Sequence, residues 1–164
     1  GDTDKRFSGE RSWDPDVQHQ GWRYHMSDIM ASIGKEQLSN FKFHKTRRQE
    51  LAKCYVGHLS LVASISIFNH DYDNVVPHIF VILLGEDIDR EILIGFLREH
   101  GVAAGIHYKP NHLLSFFSGD VPQSLPTTDI LYPRLLTLPL HPELDDKDVE
   151  FIVNILIKGL GYVR

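Results

Sequence analysis

The stretch Val75–Gly101, VVPHIFVILLGEDIDREILIGFLREHG, decides the fold class. Its opening run, Val75–Leu84, is apolar apart from Pro77 and His78 and reads as one buried strand. Pro77 lies near the start of that run, where a missing N–H is tolerated. Asp87 and Asp89 both stand where a side-chain oxygen can cap a following helix. Ile92, Leu93, Phe96 and Leu97 recur at helical spacing and make an apolar face. Gly101 then supplies the stop. A strand that feeds a capped helix predicts an α/β or α+β sandwich around one small sheet, and a helix lying between strands favours a parallel crossover.

Outward from this unit the pattern continues. Toward the C-terminus, Val102–Tyr108 is another strand-like run. Residues 110–126 read as a loop with a helical turn around His112–Phe117. A short helix over Thr127–Arg134 leads into the strand Leu135–Leu138. Asp145 caps a last helix, whose Val149, Ile152, Val153, Leu156 and Leu160 form one stripe. Toward the N-terminus, Ser64–Phe68 alternates like a short strand, and 69–74 is rich in turn formers. Ser27 is a good N-cap with Asp28 in the first turn. From there Ile29, Ile33, Leu38, Phe41, Leu51, Tyr55 and Leu59 follow helical spacing. One long helix or two in series both fit, with Gly34 and Ser39–Asn40 as bends. The polar stretch between Lys42 and Glu50 reads as an exposed face. Residues 1–20, with little apolar content, read as an extended segment that needs a neighbour to pack on.

Composition narrows the function classes. With 42% apolar and 24% charged residues, the 164-residue chain can build one hydrophobic core. A formal charge of −5 lacks the basic excess of a nucleic-acid surface. The one cysteine, Cys54, permits no disulfide within the chain and points to a reducing, cytoplasmic setting. The longest apolar runs are too short to span a bilayer, so no membrane partner is expected.

Seven of the ten histidines, His78 included, share no local spacing and read as ordinary surface or partly buried residues. Two places differ. Gly21–Ser27 sets Arg23 and His25 just before a helix N-terminus, whose free N–H groups suit a phosphate. His25 and Tyr24 packing the helix start is the other reading of the same residues. Gly105-Ile-His-Tyr-Lys-Pro-Asn-His112 gathers two histidines, a tyrosine and a lysine after a strand-like run, where ligands collect in α/β proteins. A polar turn after a core strand fits equally. Zinc is a weaker alternative, because the spacing of His107 and His112 matches no standard motif and no carboxylate or cysteine accompanies them. No phosphate-binding glycine loop and no G-x-S-x-G nucleophile turn is present.

The order of these segments resembles one family. Gly21-Trp-Arg-Tyr-His-Met-Ser-Asp-Ile-Met-Ala-Ser-Ile-Gly34, Gln37-Leu38, Arg47-Arg48, His78-Ile-Phe-Val81, Gly105–His112 and Leu138-Pro-Leu-His-Pro142 with the acidic helix start at Asp145–Asp148 are similar to successive signatures of the DegT/StrS sugar aminotransferases. The likeness runs from about Trp13 to Leu156. It implies the C-terminal portion of a fold-type-I pyridoxal-phosphate enzyme. In these enzymes an amino group, usually from glutamate, is transferred to a nucleotide-linked keto-sugar at the interface of a homodimer. By the resemblance, residues 1–26 form an interface segment and 27–164 the small domain. The large cofactor-binding domain would be the missing partner. The Schiff-base lysine belongs to that domain, and none of Lys5, Lys35, Lys42, Lys45, Lys53, Lys109, Lys147 or Lys158 lies in such a motif. Pyridoxal phosphate is therefore expected in the full-length parent and not on this chain alone, which would be an inactive piece or a remnant.

The resemblance assigns His25 to a position where members carry an Asn or Arg that reaches the cofactor phosphate across the dimer. Histidine departs from both types, and an ionic contact from it would depend on pH. His107, Tyr108 and His112 match positions near the bound sugar nucleotide. Two alternatives remain: a non-catalytic binding or regulatory module of the same fold, and a pyridoxal-phosphate sugar dehydratase. The residue that separates transferase from dehydratase lies outside the matched segments.

Overall fold

A computed structural model describes residue 22, residues 24–117 and residues 124–163. Most of the expected interface segment over 1–26 lies outside them. The chain divides into two compact units, residues 1–39 and 40–164.

The first unit holds helix α1 (Asp28–Ser39). Ser27 caps it as the sequence predicts: its Oγ accepts from the Met30 N–H at 3.3 Å, and its carbonyl accepts from Ala31 at 2.8 Å. No residue of α1 is buried, and Ile29 and Leu38 remain more than 70% exposed.

The second unit begins with α2 (Phe41–Leu59), so the helical stretch is two helices with their break at Ser39–Asn40. A three-stranded sheet follows in the order β1 (Ile65–Ile67), β2 (Phe80–Leu84), β3 (Leu135–Leu138). Helix α3 (Arg90–Glu99) lies between β2 and β3 in sequence, then a 3-10 turn (Asn111–Leu113), α4 (Pro126–Leu131) and a second 3-10 turn (Tyr132–Arg134). Helix α5 (Asp146–Tyr162) closes the described chain and packs on both α2 and α3. Phe80, Ile82 and Leu84 alternate inward from β2, and Leu136 and Leu138 do so from β3. They meet Leu51, Tyr55 and Leu59 of α2, Leu93 and Leu97 of α3, and the expected α5 stripe, every member of which is buried. Burying one such leucine or isoleucine contributes about 1.5–3 kcal/mol, so this shared cluster holds helices and sheet together.

The caps behave as the sequence suggests. Asp89, rather than Asp87, caps α3, accepting from Glu91 and Ile92. Gly101 takes φ 81°, the left-handed region that favours glycine. Its N–H donates to Arg98 O at 3.0 Å and the Val102 N–H to Leu97 O at 2.8 Å, a Schellman ending. Asp145 and Asp148 form a reciprocal capping box on α5.

Two expectations are corrected. All strand pairs are antiparallel. Val102–Tyr108 is not a strand but touches the sheet by one bridge, Gly105 to Thr137. The two corrections share a cause. β3 is antiparallel to β2 and to the bridging segment, so β2 and residues 102–107 run parallel across α3 with β3 inserted between them. The pairing of this segment is confined to Gly105. It stays short because the Ala104 N–H turns back to Val102 O and Pro110 has no N–H to give. The Val75–Leu84 strand likewise begins only at Phe80, after a turn at 72–74.

Candidate functional site

The bridge at Gly105 builds the floor of a cleft of about 380 Å³. Its walls come from His78–Ile79, from Ala103–Gly105 with His107, and from Thr137–Leu140. Alternation along β3 turns Thr137 to the face opposite Leu136 and Leu138, away from the core. Gly105 and Thr137 exchange both backbone hydrogen bonds, at 2.9 and 2.8 Å.

Helix α2 clamps the rim. One guanidinium nitrogen of Arg48 donates to His78 O at 3.0 Å and to Leu140 O at 2.9 Å, joining the segments that lead into β2 and out of β3. The Tyr55 hydroxyl donates to Pro139 O at 2.8 Å. Burial pushes the Tyr55 phenol well above its ordinary pKa, so the group stays a neutral donor. Arg47 reaches Leu144 O and Asp146, tying α2 to the start of α5. The polar 42–50 stretch is thus not simply a solvated face. Charged groups meet backbone carbonyls at each site, the stronger class of hydrogen bond.

Two polar atoms in the cleft walls are buried without a partner, His107 Nδ1 and Thr137 Oγ1. Such orphans are few in native proteins, and each calls for a physical account. The His107 ring meets Tyr108 edge-on at 4.9 Å, and Tyr108 is itself exposed and outside the cleft walls. His112 also stands apart from the cleft: its Nε2 lies 2.8 Å from Asp129 Oδ1, and its side chain is 5% exposed. Asp129 further accepts from the Leu125 N–H, so His112 pins the 3-10 turn to the start of α4. Among the described residues no three metal-ligating side chains gather, and no lysine lines the cleft. A larger depression of about 550 Å³ beside β1 contains the Lys53–Asp73 ion pair and none of the candidate residues.

His25 lies in the first unit, exposed, two residues ahead of the capped start of α1. Helix N-termini present first-turn N–H groups to anions, and in α1 Ser27 holds that of Met30.

Thr137, Gly105, Arg48 and Tyr55 escaped the sequence reading as site residues. Gly105 and Arg48 stood inside quoted segments without a role of their own, and Thr137 stood out as one polar residue inside an apolar strand.

Comparison with known proteins bears on family and fold. The profile of the DegT/DnrJ/EryC1/StrS aminotransferase family matches residues 2–157. The protein MJ1066 of Methanocaldococcus jannaschii, itself uncharacterised, is 31% identical over 96% of this chain and 42% of its own length. Spr1654 from Streptococcus pneumoniae, assigned as a sugar aminotransferase and solved in its PMP form, superimposes with a TM-score of 0.85 at 25% identity, covering 93% of this chain and 39% of that one. The aminotransferase TlmJ from Streptoalloteichus hindustanus gives 0.78 at 28% identity over 91% and 40%. The chain thus spans about two fifths of the relatives it matches.

Proposed function

The chain belongs to the DegT/DnrJ/EryC1/StrS aminotransferase family, and on that premise we propose that it is the C-terminal part of a pyridoxal-phosphate enzyme that moves an amino group from glutamate to a nucleotide-linked keto-sugar. The observation that carries this reading is the continuous match over residues 2–157, which takes in both the His25 and the His107 segments. The small domain works with a cofactor-binding large domain and a second subunit, in the cytoplasm, and the isolated chain is inactive. No described helix is long and apolar enough to cross a membrane.

When bound, pyridoxal phosphate supplies the electron sink that amino transfer requires. The residues present suit a supporting share in its binding. His25, at a helix start with free N–H groups, donates to the phosphate. The described lysines stay out of the cleft and take no part in the chemistry. His107 holds and orients the sugar nucleotide from the cleft wall, with Tyr108 on the rim. His112, whose Nε2 lies beside Asp129, completes the set of residues near the sugar nucleotide. Arg48 and Tyr55 keep the walls at fixed spacing, so that orientation is set before substrate arrives.

Full-length enzyme supplied with glutamate and a nucleotide-linked keto-sugar is expected to show ping-pong kinetics, with the amino group recovered on the sugar. Glutamate consumption with release of ammonia and a deoxygenated sugar, and no amino group left on the sugar, would instead identify a dehydratase.

A further inference from the structure

We propose that Gly105 is a positioning residue that decides which imidazole nitrogen His107 offers to a ligand, keeping Nδ1 bare and buried and leaving Nε2 to carry the proton. Three observations meet here. Gly105 is fixed in place, because it exchanges two backbone hydrogen bonds with Thr137, whose strand is paired to β2 on its other side. The His107 ring occupies the space that a side chain at 105 would need. A Cβ there would stand 3.1 Å from His107 Cε1 and 3.6 Å from Nδ1, with nothing else within 4 Å. Finally, Nδ1 is buried without a partner, whereas Nε2 is not enclosed in this way.

A neutral imidazole carries one N–H donor and one bare acceptor nitrogen. A buried N–H with nothing to receive it is rarer in folded proteins than a buried acceptor left unused. A proton on Nδ1 would be such a stranded donor. The ring therefore holds its proton on Nε2. His107 so presented is a hydrogen-bond donor, matched to a hydroxyl, carbonyl or phosphoryl oxygen, and its outward nitrogen is not free to take up a proton. That this oxygen belongs to a sugar nucleotide rests on the function proposed above; the tautomer does not.

The experiment is a long-range proton–nitrogen correlation on the 15N-labelled 164-residue chain. It is run about two pH units above the unperturbed histidine pKa of about 6.5, where imidazoles are neutral. His107→Gln identifies the His107 signals by their loss. The expected pattern is a single Nε2–H form, with Nδ1 the unprotonated nitrogen. In Gly105→Ala the backbone is held by Thr137, so the ring must yield. Its nitrogen shifts then move toward the exchange-averaged values of exposed rings such as His70, while the other histidines stay in place. An Nδ1–H or averaged pattern in the unaltered chain overturns the proposal, as does an unchanged His107 pattern in folded Gly105→Ala. Should that variant not fold, the pattern of the unaltered chain still decides. Failure of a sugar nucleotide to bind would count against the substrate reading and leave the tautomer standing.

Discussion

His107 was singled out in the sequence by the two histidines, tyrosine and lysine gathered after a strand-like run, and its side chain lines a cleft. Arg48 was not legible. Its partners are the carbonyls of His78 and Leu140, 30 and 92 residues away, and a carbonyl leaves no mark on residue identity. His112 was singled out by the same motif, and its Nε2 lies 2.8 Å from Oδ1 of Asp129, 17 residues on. His25 is the residue whose proposed role is most exposed to test. It stands in front of the Ser27-capped helix start, and a hydrogen bond to a charged phosphate contributes about 1.5–3 kcal/mol. His25→Ala in the full-length enzyme should weaken pyridoxal-phosphate retention by roughly tenfold or more. Its thermal midpoint in excess cofactor should be nearly unchanged, because the side chain is exposed. Equal cofactor affinity in a titration of variant and parent would remove His25 from the site.

Among the elements, helices were read well and strands less so. Caps and stripes are local: Asp89, Gly101 and Asp145 act within a few residues of themselves, and the α5 stripe needs only its own periodicity. Strand pairing is not local. Nothing in Val102–Tyr108 announces that β3 will insert beside it, or that only Gly105 will pair. Packing between elements has the same character, as Gly159 illustrates. It is buried in α5, and a Cβ there would lie 2.7 Å from Leu93 Cδ1 and 2.9 Å from Phe96 Cδ1 of α3. Leu93 is fully buried and has little room to move. Gly159→Ala gains about 0.8–1 kcal/mol in helix propensity. Overpacking costs about 1–3 kcal/mol, and the enclosed contact places this site toward the upper end. We expect a net loss of about 1–2 kcal/mol, seen as a lower urea midpoint with an unchanged slope. A stabilised variant would mean that α3 and α5 are free to separate.

For the whole molecule, the second unit has a core of its own, whereas α1 in the first buries nothing. Trp22, Tyr24, Met26, Ile29 and Leu38 are all more than 70% exposed. Exposed apolar surface of this kind marks an interface. The chain also spans only about two fifths of its relatives. The isolated chain should accordingly self-associate or bind a hydrophobic dye, and full-length protein should do so less. A dye-free monomer at high concentration would show that this surface needs no cover. If the Gly105–His107 cleft binds the sugar nucleotide and does not carry out the proton shift, His107→Ala in the full-length enzyme should separate the two half-reactions when each is followed alone. A contact made equally in ground and transition states raises KM and spares kcat when lost. The predicted result is an unaltered glutamate half-reaction, with the sugar half-reaction losing roughly tenfold in affinity for a neutral contact and more for a charged one. A fall in kcat by orders of magnitude in both half-reactions would contradict it and make His107 a catalytic residue.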